Sequence, residues 1–458
     1  MFENSKEKNL QELQNCVKFI NFALNQEPAD SNDLKTVEKL RTLRDKINNN
    51  KDTIPIGDIH GDPLLFLGWM VLSGAAMIDY DNPTIKHKTG RKDANGNEIE
   101  IDIFNIKPNP NYNGKLVFLG DYIDRGPSSE SIFFSLTNFL KLQKEQGRIN
   151  VTALLGNHET NLFYSRSSEK NPNIARELKN NISLFKLCHI DGDNIYSHTN
   201  MFSDKVYFRS LDKNMGIDEY ILRTLKISLA DSRISFIKQK DRIILQIPDD
   251  KNLEIFKQIL DFYGKKDHTK DEIENFSKNV NKLLNIYKDK TTNQEIKKIA
   301  RVFISSLSFA RAIEKGQAAH LDNTEITLYK GHDVKGASGT HVKNMDIGGS
   351  AWISDEGTTH FYMGEKNGNI SLKRKEVKQI INLTRSLKLY REKLDKSNMR
   401  LMELEDRLNQ IKGIFIGFRT FFQKAQINVE KMKNKYYKGK IAKAVKEPST
   451  ERQINNNL

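Results

Sequence analysis

The chain has 458 residues, of which 37% are apolar and 29% are charged. This length can bury one large core or two modest ones, and only 26 Gly and 10 Pro exclude a mostly disordered or fibrous chain. The formal net charge is +14, yet the segment from Lys373 to Leu458 alone holds 22 Lys and Arg against 9 Asp and Glu. The basic character therefore belongs to the C-terminal tail, which argues against nucleic acid as a partner of the preceding body.

The chain has two cysteines, Cys16 and Cys188, and neither lies in a C-x-x-C pattern. Two cysteines cannot build a disulfide framework, so they indicate a reducing, cytoplasmic-type compartment. The N-terminus lacks a basic segment followed by an apolar run, and nowhere do about 18 apolar residues run together. The sequence therefore predicts neither a secretory signal peptide nor a membrane-spanning helix.

The first part of the chain alternates strands, loops and helices. Residues 1–52 have apolar positions at helical spacing and predict two N-terminal helices. The apolar run TIPIG then predicts a buried strand that ends in DIHGD and continues into a helix, and KLVFLG before DYIDRG and VTALLG before NHET repeat this order. Such a repeat predicts an α/β fold whose ligands lie at the carboxyl ends of the strands.

Two insertions interrupt this pattern, at about 82–113 and 205–320. The first contains an NG dipeptide that predicts a hairpin turn. The second contains a predicted hairpin, RISFIKQKDRIILQIP, and a Lys-rich helical stretch from about 251 to 315. NIYSHTN and ITLYKGHD predict further strands, and HVKNMDIGGSAWIS with HFYMG predicts the closing strands. We therefore assign 53–372 to one domain with insertions.

The tail, 373–446, has a heptad pattern. Nine of ten core positions between Ile380 and Ile411 are apolar or aromatic, which predicts a coiled coil. Gly413 and Gly417 interrupt the pattern and favour a hairpin of two helices over one bent helix. Residues 447–458 are expected to be disordered.

The tail is also basic, since nine Lys and Arg stand against one acid between Arg419 and Lys446. A charge run of this kind is usually a solvated face. Two further hypotheses are a protein partner, which we favour, and an acidic membrane attracted by Lys, Arg and the interleaved aromatic residues.

Five short segments at predicted strand ends offer ligands for hard or borderline metal ions. The donors are carboxylates, imidazoles and an amide: Asp58, His60, Asp121, Asn157, His198 and His332. This set suits Mn, Fe or Zn better than a soft-metal thiolate site would. Any one of these residues alone is more often an ordinary loop residue, but five segments in order predict a two-metal site with Asp121 as the bridge.

Such a site can hydrolyse a phosphate ester without a protein nucleophile. Two ions about 3.5 to 4 Å apart lower the pKa of a bridging water, neutralise charge on the phosphoryl oxygens and so permit direct attack by a bridging hydroxide. Arg125 would form a bidentate pair with the phosphate. His158, oriented by Asp124, would donate a proton to the leaving oxygen.

GDIHG, GDYIDRG and GNHE, in this order, resemble the motifs of the phosphoprotein phosphatase (PPP) family within the calcineurin-like metallophosphoesterases. The resemblance covers about 53–365 and implies a β-sandwich flanked by helices. It implies one ion held by Asp58, His60 and Asp121, and a second held by Asp121, Asn157, His198 and His332. It also implies phosphate contacts from Arg125 and Asn157 and acid catalysis by His158 with Asp124.

The sequence departs from this family at several places. His198-Thr199-Asn200 stands where the family has H-G-G or H-A-G, and longer spacings imply insertions at the rim of the site. For the expected second phosphate-binding arginine, Arg311 is preferred to Arg301. These departures concern the choice of substrate more than catalysis.

A PPP-like core followed by a coiled coil in a Lys-, Asn- and Ile-rich sequence resembles the Wip-type effector phosphatases, which intracellular bacteria deliver into host cells by type IV secretion. This narrower resemblance implies a location in a host-cell cytosol and host phosphoproteins, including phosphotyrosine, as substrates.

Three functions remain open. The leading hypothesis is a metal-dependent protein phosphatase with two divalent ions, Mn²⁺ first and Fe or Zn as alternatives. The second is a nucleotide phosphoesterase that resembles the diadenosine tetraphosphatases, and the third is a catalytically silent coiled-coil scaffold. Glu159 and the large appendage favour protein substrates, and the six intact ligand positions argue against the scaffold.

Overall fold

A computed structural model of the chain divides into two compact units, residues 1–16 with 43–371 and residues 17–42 with 372–458. The residues that the structure describes are 2–25, 34–49, 53–203, 206–208, 213–228, 235–239, 242–246, 252–265, 267–309, 311–312, 317–332, 338–346, 349–351, 354, 357–362, 369–373, 377, 392–403 and 427–440.

The helices with described ends are α1 Phe2–Asn25, α2 Leu34–Asn49, α3 Pro63–Leu72, α4 Ser129–Glu145, α5 Asn157–Thr160, α6 Ser165–Lys170, α7 Pro172–Asn181, α8 Ile217–Ser228, α9 Leu253–Tyr263, α10 Lys270–Lys288 and α11 Gln294–Phe309. Short 3₁₀ helices lie at Asn161–Phe163, Ile182–Leu184 and Ala319–Leu321.

The strands are β1 Ile54–Ile56, β2 Ala76–Ile78, β3 Thr84–Lys92, β4 Glu98–Phe104, β5 Ile106–Pro108, β6 Leu116–Phe118, β7 Val151–Leu154, β8 Phe185–Lys186, β9 Cys188–Asp191, β10 Asn194–Ser197, β11 Val206–Phe208, β12 Lys213–Met215, β13 Ser235–Gln239, β14 Arg242–Gln246, β15 Arg311–Ala312, β16 Thr327–Lys330, β17 Val342–Asn344, β18 Thr358–Tyr362 and β19 Asn369–Lys373.

Two four-stranded sheets form the centre of the first unit. One has the order β1-β6-β7-β8 and is parallel throughout, and the other has the order β17-β16-β10-β9 with an antiparallel pair at β9. Val117 and Leu154 of the first sheet share one buried cluster with Tyr196 of the second. The sheets therefore face each other as a sandwich, which confirms the predicted fold class.

Helices cover the sandwich through aromatic contacts. Phe133 of α4 stacks on Phe185 of β8, with ring centroids 5.5 Å apart and nearly parallel planes, and Trp69 of α3 packs on Phe361 of β18 at 5.6 Å. Rings of this size bury much apolar area, so these pairs fix α4 against β8 and α3 against β18.

Asp62 joins the loop after β1 to the closing strands. One carboxylate oxygen caps α3 by accepting hydrogen bonds from the backbone N–H groups of Leu64 and Leu65, at 3.0 and 3.2 Å. The other accepts from the N–H of Ala351 and the hydroxyl of Thr359, each at 2.8 Å. This fully buried carboxylate therefore has four donors and holds the start of α3 in place.

Both predicted insertions contain the predicted elements. In the first, β3 and β4 form an antiparallel hairpin whose turn includes Gly96 with a φ of +84°. In the second, β13 pairs with β14, and α9, α10 and α11 occupy the predicted Lys-rich helical stretch. The side-chain amide of Asn281 on α10 accepts from Leu187 N and donates to Cys188 O, at 2.8 and 2.7 Å, and so covers the edge strand β9.

In the second unit, residues 392–403 and 427–440 are helical and contact each other. The Ser397 hydroxyl donates to the buried Glu430 carboxylate at 2.9 Å, and the Asn434 amide donates to Asn398 at 2.6 Å. Most of the predicted heptad seam, with Gly413, Gly417 and residues 447–458, lies outside the described residues. The coiled coil and the proposed domain boundaries therefore stay predictions.

Within the described part of the chain, no helix is long and apolar enough to cross a membrane.

Candidate metal centre

The six predicted ligands come from loops at the carboxyl ends of parallel strands. Asp58 and His60 follow β1, Asp121 follows β6, Asn157 follows β7, His198 follows β10 and His332 follows β16. Because these strands run parallel within each sheet, their ends meet at one edge of the sandwich. All six residues are buried there.

Asp121 lies at the centre of the cluster. Its Oδ2 is 3.8 Å from His60 Nε2, 3.4 Å from His198 Nε2 and 3.8 Å from His158 Nε2. Two ligand sets therefore share Asp121, one with His60 and His158 and one with His198 and His332.

The second ligand set is compact. His198 Nε2 lies 3.0 Å from Asn157 Oδ1 and 3.1 Å from His332 Nδ1. Atoms that bind one ion at about 2.1 Å stand roughly 3 to 3.5 Å apart, so this spacing fits a divalent metal.

The histidine rings are oriented for ligation. Nδ1 of His60 lies 3.2 Å from the carbonyl oxygen of Ile123, and Nδ1 of His198 lies 3.0 Å from that of Leu119. A carbonyl only accepts, so Nδ1 carries the hydrogen and Nε2 is left to face the cluster. Burial also lowers the pKa of His60 to about 4, which keeps this imidazole neutral as a ligand must be.

The central carboxylate is ionised although it is buried. Burial alone would raise the pKa of Asp121, but His198, His158 and His60 hold it well below its usual range. A carboxylate that remains charged away from water suits a position between two cations.

Asp58 has a carboxyl neighbour that sequence reasoning missed. Its Oδ2 is 3.8 Å from His60 Nε2, and its Oδ1 accepts a hydrogen bond from His332 N at 3.2 Å. Burial and the buried carboxyl of Asp346, which is hydrogen-bonded to it, raise the pKa of Asp58 well above its usual range. Two carboxyl groups share such a bond only when one is protonated, so cation binding at Asp58 competes with protons. Asp346 lies two residues after the closing strand β17, and this position near a strand end is the sequence feature that could have identified it.

The ligand loops adopt a backbone conformation that non-glycine residues avoid. Among the described residues, the non-glycine residues with positive φ are His60, Asp121, Asp124, Arg125 and His332, with values from 45° to 70°. This region costs an L-residue roughly 1–2 kcal/mol. All five belong to the predicted site, so the rest of the fold must hold strained backbone in place there.

Glu159 helps to hold the strained backbone of the ligand loops in place. Its buried carboxylate accepts hydrogen bonds from the N–H groups of Gly156, Asp121, Tyr122 and Ile123, at 2.8 to 3.3 Å. The sequence pointed to Glu159 only as a mark of substrate class. The structure gives it a different role, since it ties the Asp121 loop to the Asn157 loop.

Two glycines leave room for carboxylates. A Cβ at Gly156 would collide with the side chain of Asp121, and a Cβ at Gly331 would collide with that of Asp58. Only glycine therefore allows these loops to approach the ligands so closely.

His158 and Asp124 form the predicted pair at the edge of the cluster. His158 Nδ1 lies 2.6 Å from Asp124 Oδ2, and its Nε2 faces Asp121. Burial acts to lower the pKa of His158, but the hydrogen bond with Asp124 and nearby carboxylates raise it above its usual value. This shift favours the protonated ring that a general acid requires, whereas a metal ligand would need a neutral ring.

The predicted arginines lie in different environments. Arg125 is exposed beside this pair, and its charge acts on His60. Arg301 Nη1 donates to Phe163 O at 3.4 Å, and its guanidinium lies 4.7 Å from the centre of the Tyr164 ring. The backbone of Arg311 pairs with Tyr207 in β11, while its side chain lies outside the described part of the structure. The role of either residue as second phosphate ligand stays a prediction.

The unusual loop after His198 contacts the second insertion. The Thr199 hydroxyl donates to the carbonyl of Leu307 at the end of α11, and the Asn200 amide donates to Gln317 O at 2.6 Å. Both side chains are buried. Thr199 and Asn200, which replace the two small residues of H-G-G, therefore donate hydrogen bonds to backbone carbonyl groups of the inserted segment.

We expect Asp121→Asn and His60→Ala each to abolish metal-dependent phosphoesterase turnover, because Asp121 lies in both ligand sets and His60 in one of them. Metal content by mass spectrometry, together with turnover on an aryl phosphate, checks this. The exposed Asp81→Asn is the matched control and should keep both. Near wild-type turnover with full metal content in either site variant would contradict the ligand assignment.

Residues 54–246 match the family model described as calcineurin-like phosphoesterase. The match includes the loops from Asp58 to His198, and His332 follows it along the chain. No curated protein and no solved structure matches the chain. The match and the clusters of possible metal ligands support a calcineurin-like metallophosphoesterase domain, which implies metal-dependent hydrolysis of phosphoesters.

Proposed function

We propose that this chain is a protein phosphatase that removes phosphate from phosphoserine, phosphothreonine or phosphotyrosine. The observation that carries the proposal is the His158–Asp124 pair, at 2.6 Å, beside a carboxylate that belongs to two ligand sets. This arrangement places an acid next to the position where two ions would hold a phosphoryl group.

Two divalent ions, when bound, supply an activated water and neutralise phosphoryl charge. The residues of this chain do the rest. Arg125, exposed at the rim, orients the phosphoryl oxygens by a bidentate pair, and Asn157 contributes its amide to the same oxygens. His158 gives its proton to the leaving oxygen while Asp124 keeps the ring in position.

A nucleotide phosphoesterase of the diadenosine tetraphosphatase type is the alternative. The inserted helices favour protein substrates, because α11 packs against α5 and extends the wall of the site well beyond the ligands. Glu159 separates protein from nucleotide substrates less well than the sequence implied, since its carboxylate accepts hydrogen bonds from four backbone N–H groups and so has a structural role.

We further propose membership of the PPP family, with Mn²⁺ as the working metal because carboxylate, imidazole and amide donors suit it. The narrower proposal is a Wip-type effector that acts on host phosphoproteins in a host-cell cytosol. It rests on the architecture, a PPP-like core followed by a helical appendage, and on the Lys-, Asn- and Ile-rich composition.

A substrate panel with Mn²⁺ separates the functions. We expect turnover of phosphoserine, phosphothreonine or phosphotyrosine peptides at a kcat/KM at least about 10-fold above that for diadenosine tetraphosphate, a difference of about 1.4 kcal/mol in transition-state binding. Preference for the nucleotide would favour the alternative enzyme, and absence of turnover on every substrate would favour the scaffold.

His158→Ala tests the acid role. Metal should stay bound while turnover of a phosphopeptide falls roughly 10²- to 10⁴-fold, the usual range for loss of a general acid. An aryl phosphate with a good leaving group needs the proton less and should lose less. Asp124→Asn keeps the ring and should give an intermediate loss. Equal losses on both substrates would rule out proton donation by His158.

For the tail, we propose that the helical residues 392–403 and 427–440 form the predicted hairpin and present a basic surface to a protein partner. The charge reversal Lys435→Glu/Lys438→Glu leaves the buried Ser397–Glu430 contact intact. It should not change turnover of an aryl phosphate in the full chain, and wild-type protein should not float with vesicles that contain phosphatidylserine. Flotation that the reversal abolishes would instead support an acidic membrane as the partner.

A further inference from the structure

A basic groove lies in the first unit between α7, α10 and α11. Its volume is about 1010 Å³. We define it by its six cationic residues, Lys179, Lys288, Lys290, Lys297, Lys298 and Arg301. Five of these residues lie between 288 and 301, in the Lys-rich stretch, and the fold adds Lys179 of α7 to them.

The cations of the basic groove outnumber the acidic groups in its lining. Among the described residues, none of the six forms an ion pair within 4.0 Å of a carboxylate, and Lys288 donates only to the hydroxyl of Ser183, at 3.1 Å. Asp289 is the acidic residue in the lining, and hydrogen bonds from Thr291 and the charge of Lys297 lower its pKa, so one carboxylate stands against six cations. The groove therefore keeps a strong positive field for a ligand.

The basic groove begins next to the segment that leaves the metal centre. Arg301 donates to Phe163 O and covers Tyr164, and the Tyr287 ring in the groove packs on Phe163 with centroids 4.4 Å apart. Phe163 follows Asn157 by six residues of α5 and 3₁₀ helix, a rise of roughly 10 Å. An extended peptide covers this distance with about three residues.

The shape and lining of the basic groove favour a peptide over other polyanions. Its volume is at the upper limit of small-molecule pockets. Proteins that bind single-stranded nucleic acid use several free aromatic rings for base stacking. Here the aromatic residue in the lining is Tyr287, and its ring is already packed on Phe163. A concave groove also cannot lie flat on a membrane surface.

We propose that the basic groove binds an acidic segment of the substrate protein, a few residues from the phosphorylated side chain in the metal centre. This inference rests on the proposed protein phosphatase function and adds a substrate class, phosphoproteins with acidic residues near the phosphorylation site. The attraction is electrostatic, so salt weakens it over a Debye length of about 10 Å at 0.1 M.

The test compares two phosphopeptides that differ only in their flanks, four Glu in one and four Gln in the other, with the full chain and Mn²⁺. We expect the Glu peptide to have a kcat/KM about 10-fold higher at low salt, mainly through KM, because rim charges act on association. The preference should shrink as salt rises. Equal kcat/KM values for the two peptides at low salt would overturn the proposal.

The charge reversal Lys290→Glu/Lys298→Glu tests whether the basic groove causes the preference for the Glu peptide over the Gln peptide. Both side chains are exposed, so the fold should tolerate the change. The reversal should remove the preference for the Glu peptide and leave turnover of an aryl phosphate unchanged. Lys144→Glu is the control, because Lys144 is an exposed lysine in the last turn of α4 that does not line the groove. A preference that survives the double reversal, or that Lys144→Glu also removes, would overturn the assignment.

Two further outcomes are distinguishable. If wild-type protein hydrolyses both phosphopeptides equally well, the proposed function stands and the groove inference fails. If it hydrolyses only the aryl phosphate or diadenosine tetraphosphate, the proposed function fails and the inference fails with it. A single-stranded oligonucleotide and a non-phosphorylated Glu peptide are also compared as competitors of the phosphopeptide. Stronger competition by the oligonucleotide, in wild type but not in the double reversal, would overturn the proposal and indicate nucleic acid as the ligand of the groove.

Discussion

The first unit is organised around one buried negative charge. The neighbouring histidines, His198 above all, hold the pKa of the buried Asp121 carboxyl group well below its usual range, and a pair of cations would stabilise its charge further. Such a charge is costly unless its partners are placed accurately, so loops from both sheets must end at the same point. The sandwich serves this requirement, since a strand of each sheet delivers one histidine, His60 or His198, to the same oxygen of Asp121.

Accurate placement is achieved with strained backbone. The five site residues with positive φ would relax in a free loop, but buried hydrogen bonds hold them. Glu159 binds four backbone N–H groups of two ligand loops, and Asp62 fixes the residues that follow His60. Both are buried carboxylates whose lone pairs are used by the backbone, so the polar groups under the metal centre form one connected network.

The second insertion acts on the same site from outside. Thr199 and Asn200 bind carbonyl groups in or after α11, and α11 packs against α5. The same helix carries three of the six cations of the basic groove. The element that contacts the loop of His198 is thus also the element that we propose to select substrates.

The sequence alone determined the order of strands, loops and helices and the residues at each strand end, because apolar periods and glycine-bounded loops are local properties of the chain. From these it predicted an α/β fold, the six ligands that the structure brings together and the contact between His158 and Asp124, and the resemblance to the PPP family implied the sandwich. The catalytic roles and the domain boundaries stay predictions. Only the tertiary structure showed that Asp346 is hydrogen-bonded to Asp58 and that Glu159 accepts hydrogen bonds from backbone N–H groups. It also showed that Lys179 and Lys298 line the same groove. These contacts join residues far apart in the chain, and no local pattern encodes them, since they depend on how the sheets and inserted helices pack.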